Sequence, residues 1–136
     1  MNVIAAPDLP AAADAIDLGD RVVGKAIRQL TADGGPDIHQ VLAYDIAHAA
    51  SAVATARSLL DYGAKGEIEA KITCAFAADM LHDLAGKVLG REAQWGVDRD
   101  PLANAHAFIA QFRDPAFLAS LADQAGPRHL DDDMEM

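Results

Sequence analysis

The chain has 136 residues and a mass of 14.3 kDa, the size of one compact domain. Hydrophobic residues make up 51% and charged residues 24%, enough apolar material for a packed core, which excludes a wholly disordered chain. Lys and Arg number 11 against 21 Asp and Glu, and the resulting net charge of -10 repels phosphate backbones and anionic headgroups, so neither nucleic acid nor a membrane surface is expected as a partner.

Composition also sets the fold class. There are 30 alanines, the strongest helix former, while aromatic residues, which favour strands, make up only 5%. An all-β fold is therefore excluded. The single cysteine, Cys74, has no internal disulfide partner, and no basic stretch followed by an apolar run opens the chain. A reducing, cytoplasmic setting is expected. No window of about 18 apolar residues free of charge occurs, so no membrane-spanning helix is expected.

The first predicted helix runs from Leu9 to Thr31, with Leu9, Ile16, Val23 and Leu30 repeating every heptad and Ile27 beside them on one face. Asp8 is placed to cap it, and Asp33-Gly34-Gly35-Pro36 ends it. A second helix is predicted from Asp37 to Tyr62, with Gly63 as the residue just past its end. Its buried stripe is Ile38, Leu42, Ile46, Ala49, Val53, Ala56 and Leu60, while Gln40, Ala47, Ser51 and Ser58 stand opposite. That opposite face is small and polar, and small side chains let another helix approach closely.

Ala64-Lys65-Gly66 is a short link into a third, antiparallel helix over Glu67 to Leu89, with Glu67 and Lys71 one turn apart and Gly90 as its stop. Ala70, Cys74, Ala77, Leu81, Leu84 and Val88 form one stripe and Ile68, Ile72 and Phe76 another, so this helix is expected at the centre of the bundle. Asp100-Pro101 and Asp114-Pro115 each set a capping carboxylate before a first-turn proline. They predict helices over Pro101 to Phe112 and Pro115 to Gln124, with Gly126-Pro127 closing the folded part. The expected architecture is an all-α antiparallel bundle of about five helices in a single domain over residues 1–130, followed by a frayed acidic tail over 131–136.

Side chains that carry chemistry are few. Asp45-Ile46-Ala47-His48 and Asp79-Met80-Leu81-His82 repeat the carboxylate-x-x-His spacing of di-metal bundles. The residues are Asp where such sites use Glu, His48 and His82 lie off the apolar stripes, and no further inward Glu pair accompanies them; a surface role is the expectation and no metal ligand is assigned. Cys74 falls inside an apolar stripe with no neighbouring cation, which reads as packing rather than a nucleophile. Ser51, Ser58 and Ser120 lack a Gly-x-Ser-x-Gly turn, and no glycine-rich phosphate loop follows a strand. Arg57 is expected to pair with Asp79 or Asp83 across the helix interface, and Trp95 to plug one end of the bundle with its indole N–H on a backbone carbonyl. No catalytic and no cofactor-binding residue is assigned.

The stretch Ile38-His39-Gln40-Val41-Leu42-Ala43-Tyr44-Asp45-Ile46-Ala47-His48 followed by Ala56-Arg57-Ser58-Leu59-Leu60-Asp61-Tyr62-Gly63 resembles a helix of the acyl-CoA dehydrogenase C-terminal bundle. Cys74-Ala75-Phe76-Ala77-Ala78-Asp79, Gly90-Arg91-Glu92-Ala93-Gln94-Trp95-Gly96, Phe112-Arg113-Asp114-Pro115-Ala116-Phe117-Leu118-Ala119 and Arg128-His129-Leu130-Asp131-Asp132-Asp133 resemble more closely the helical extension preceding the catalytic domains in the methylsuccinyl-CoA dehydrogenase type of that flavoenzyme superfamily. Together these segments span residues 38–133. The resemblance implies a parent enzyme that oxidises an acyl-CoA thioester to its α,β-unsaturated form, with FAD as hydride acceptor and a carboxylate as base. It carries no catalytic or FAD-binding residue onto this chain, which is expected to be silent alone and to dock on its own catalytic body or form a homo-oligomer through the small-residue face of the second helix. A stand-alone helical interaction protein is the alternative, and a di-metal carboxylate bundle the third reading.

Overall fold

The structure, a computed structural model, describes residues 4–125. Among the described residues there are six α-helices, one 3-10 turn and no strand. The all-α bundle read from the sequence is the fold observed. The expected stop at Gly126-Pro127 and the acidic tail from Asp131 lie outside the described residues.

Helix α1 spans Leu9–Ala32 and begins as its sequence dictates, with Asp8 Oδ1 accepting the Ala11 N–H at 3.0 Å and Pro10 in the first turn. Its inward face is Ala12, Ile16, Gly19, Val23, Ala26 and Leu30, all buried. Ile27, expected beside that stripe, is 48% exposed. The buried arc widens instead toward Ala15 and Val22, on the flank where Ala15 and Phe108 border one groove, and Ile27 is left outside. The helix ends where Gly34 and Gly35 adopt φ of 115° and 87° and the Gly35 N–H reaches back to the Leu30 carbonyl at 2.9 Å.

Helix α2 spans Gln40–Gly63 and starts three residues later than Asp37, the position its sequence suggested. Pro36 to His39 form an extra turn, closed by the His39 N–H on the Gly35 carbonyl at 3.3 Å and by His39 Nε2 against the Asp33 carbonyl at 3.0 Å. Ile38 thereby leaves the buried stripe and is 69% exposed. Its side chain lies over Gly34, where an added Cβ would stand 2.7 Å from Ile38 Cδ1. The rest of the stripe is as read: Ile46, Ala49, Val53 and Ala56 are buried, with Leu42 and Leu60 at its edges.

Helix α3 spans Glu67–Val88 and packs against α1 and α2. Ala70, Cys74, Ala77, Leu81, Leu84 and Val88 are all buried, and Lys71 Nζ lies 3.6 Å from Glu67 Oε1. Near the link from α2 to α3 the two helices approach so closely that a Cβ on Gly63 would meet Thr73 Oγ1 at 2.7 Å and Leu9 Cδ2 at 2.9 Å. Thr73 Oγ1 faces the Leu59 carbonyl at 3.0 Å and its own Glu69 carbonyl at 2.9 Å, a hydroxyl tie between the two helices.

The carboxy-terminal third departs most from expectation. Helix α4 is a single turn, Glu92–Trp95, stopped by Gly96 at φ 66°. The helix expected from Pro101 is instead a 3-10 turn over Ala103–Ala105 running into α5, His106–Phe112. Asp100 does not cap it: its φ of 55° turns the chain, and its carboxylate lies 3.0 Å from His106 Nε2. Asp114 does cap α6, Pro115–Ala125, accepting the Phe117 N–H at 3.1 Å. α5 and α6 both pack on α3, which makes α3 the central helix, with Phe76 on its outer flank 37% exposed. Phe108, Phe112 and Phe117 form a ring cluster with centroid separations of 4.9 and 5.2 Å. No described helix is long and apolar enough to cross a membrane.

Candidate functional site

The two carboxylate-x-x-His pairs do not converge. Asp45 Oδ2 accepts from Arg91 Nη1 at 2.6 Å, Asp79 Oδ1 accepts from Arg113 Nε at 3.0 Å, and each carboxylate is thereby tied to a different loop. His48 lies against the ring of Tyr44 with centroids 4.3 Å apart, and His82 Nδ1 is 3.6 Å from its neighbour Asp83. Among the described residues no group of three or more His, Cys, Asp or Glu side chains is placed to hold a metal ion.

Arg57 does not reach Asp79 or Asp83. Its guanidinium Nη2 donates to Asp17 at 2.8 Å and lies 3.4 Å from Asp20, both on α1. α2 has α1 on one flank and α3 on the other, and Arg57 leaves α2 on the α1 flank. These pairs are half exposed, so each contributes at most about 1 kcal/mol and serves mainly to fix helix orientation.

Cys74 is fully buried, its Sγ accepting from the Asp8 N–H at 3.4 Å and lying 3.7 Å from the Asp8 carbonyl. Burial pushes the thiol above its ordinary pKa of 9.0, opposed by the Asp8 backbone hydrogen bond and reinforced by the Asp8 charge. A thiol so placed is held protonated and is no nucleophile. Trp95 is also fully buried and closes the bundle end as expected, but its Nε1–H has no hydrogen-bond partner among the described residues. Among the described residues there is no strand, and so no strand–loop–helix phosphate cradle.

What remains open is the outer face of α2. Gln40, Tyr44, Ala47, Ser51, Thr55 and Ser58 are all exposed along it. Apart from Arg57, which turns toward α1, and the imidazole of His48, the exposed residues of α2 from Gln40 to Ser58 include no Asp, Glu, Lys or Arg, in a chain whose net charge is -10. Thr55 Oγ1 donates to the Ser51 carbonyl at 2.9 Å and Ser58 Oγ to the Ala54 carbonyl at 3.1 Å, so both hydroxyls are satisfied within the helix. At its amino-terminal end Ile38, Val41 and Tyr44 are 69%, 72% and 65% exposed. The sequence reading found the small residues of this face and missed the large ones: Val41 and Tyr44 flank the small stripe, and Ile38 was counted as core.

Compared with protein-family models, with curated proteins and with solved structures, the chain matches none.

Proposed function

We propose that this chain is a noncatalytic helical module of an FAD-dependent acyl-CoA dehydrogenase of the methylsuccinyl-CoA dehydrogenase type, which docks through the outer face of α2 on the enzyme's catalytic body or on a second copy of itself. The observation that carries the docking role is the uncharged, unpartnered α2 face with Ile38, Val41 and Tyr44 at one end. Exposed helix faces of acidic proteins ordinarily carry the charge that keeps the chain soluble, and leaving this one bare lowers the repulsion a partner meets. Complete burial of Ile38 or Val41 contributes about 1.5–3 kcal/mol each toward association. The link to the flavoenzyme rests on the sequence segments over residues 38–133.

Light scattering on the eluting chain, alone and mixed with a flavin-bearing acyl-CoA dehydrogenase body of that type, tests the reading. The expected result is a complex of defined mass in at least one of the two runs. A strict monomer in the first and separate peaks in the second would remove the docking role.

A further inference from the structure

A cleft of about 490 Å³ opens between the last turns of α3 and the segment around Pro101. Its volume falls in the range of small-molecule pockets. Ala85, Val88, Leu89, Pro101 and Leu102 give it a largely aliphatic lining, to which His82 adds an imidazole ring. Gly86, the Asp100 turn and Arg99 shape this cleft.

Gly86 lines the cleft from within α3, where glycine is a costlier choice than alanine. Gly19 repays that cost by letting Leu81 approach to 3.1 Å of its Cβ position, and Gly90 by adopting φ 84°. Gly86 does neither: nothing lies within 4 Å of where its Cβ would stand. Its effect is a bare stretch of helix wall inside the cleft. Asp100, at the opposite rim, is the one described non-glycine residue with positive φ, and Pro101 after it restricts its backbone further. The His106 contact at 3.0 Å holds it there, and the exposed Arg99 before it borders the cleft. Arg99 has no carboxylate partner among the described residues, as Arg21 and Arg28 have none, whereas Arg57, Arg91 and Arg113 are each paired; of the three unpaired arginines it is the one that borders this cleft.

We infer that this cleft binds a small amphipathic carboxylate, with its aliphatic body over Gly86 and Leu102 and its carboxylate on the Arg99 guanidinium. The planar fork of arginine matches a carboxylate in two parallel hydrogen bonds. The acidic charge of the rest of the chain is screened beyond about 8 Å at physiological salt, so the nearest groups decide. Those are Arg99, the Asp100 carboxylate engaged by His106, His82 with its Nδ1 3.6 Å from Asp83, and Glu92, which favours a cationic head instead. The inference stands on the cleft alone and does not depend on the docking role.

Three probes with one tail and different heads separate these chemistries: octanoate, octylamine and octanol, titrated into the whole chain and followed by amide chemical shifts. Octanoate is expected to give saturable shifts centred on Gly86, Leu89, Arg99 and Leu102, with octylamine at least about tenfold weaker. Arg99→Gln is expected to weaken octanoate about tenfold, to the level of octanol. Gly86→Ala is expected to raise the Tm by about 2–4 °C while weakening every probe, which separates loss of the cleft from loss of the fold. Octylamine binding as tightly as octanoate, unsaturable shifts scattered over the surface, or octanoate affinity unchanged in Gly86→Ala would each overturn the inference.

Discussion

Trp95 and Cys74 show how a buried side chain becomes a measurable quantity. Trp95 fills the end of the bundle at 0% exposure with its indole N–H unpartnered among the described residues. Truncation to Ala is expected to cost about 3–5 kcal/mol in urea unfolding. Trp95→Phe is expected to cost far less, because it also removes an unsatisfied donor that costs about 1–3 kcal/mol. Equal losses in the two variants would contradict the orphaned N–H. Its burial was legible from a lone Trp beside a glycine stop, while the missing partner was not, since it depends on which carbonyls a one-turn helix leaves over. Cys74 was legible in full from its place in the α3 stripe. Its raised thiol pKa means the folded chain prefers the neutral form, so this contribution to stability is complete below pH 9.0 and lost as pH climbs through the raised value. The alkaline drop in unfolding midpoint is therefore expected to be steeper in the natural chain than in Cys74→Ala, and iodoacetamide to label Cys74 far faster in urea than in buffer. A Cys74→Ala profile parallel to the natural one above pH 9 would contradict it.

At the scale of elements, periodicity located the three long helices because each buries a continuous stripe, and an apolar stripe is written in the sequence whatever its neighbours are. Boundaries followed where a local hydrogen bond sets them, as at Asp8 and Asp114, and failed where the same dipeptide was bent to another use. Asp100-Pro101 has the letters of a helix start, yet Asp100 adopts φ 55° and pairs with His106. The late start of α2 has a similar cause, since the Gly34-Gly35 closure and the His39 contacts consume a turn that composition alone assigns to the helix. The α2–α3 approach yields a sharp expectation. Gly63→Ala places a methyl 2.7 Å from Thr73 Oγ1 and 2.9 Å from Leu9 Cδ2, and is expected to destabilise the chain by about 1–3 kcal/mol in thermal or urea unfolding. A neutral effect there would show that the two helices are further apart than described.

For the whole molecule, the bundle was legible because α3 carries two apolar faces and so had to lie at the centre. The side-chain pairs between helices were not, because a carboxylate and a guanidinium 34 to 46 residues apart are brought together only by the packed fold, as for Arg113 with Asp79 and Arg91 with Asp45. The same limit governs function: the small residues of α2 are visible in the sequence, but that their face is left open and uncharged is a property of the assembled bundle. Docking through this face is tested by a single arginine placed at its middle. Titration of the natural chain and of Ser51→Arg, each into the flavoprotein body or into its own labelled copy, is the decisive measurement. Ser51→Arg is expected to lose affinity at least about tenfold with unchanged helical circular dichroism. Equal binding by the two chains would contradict it.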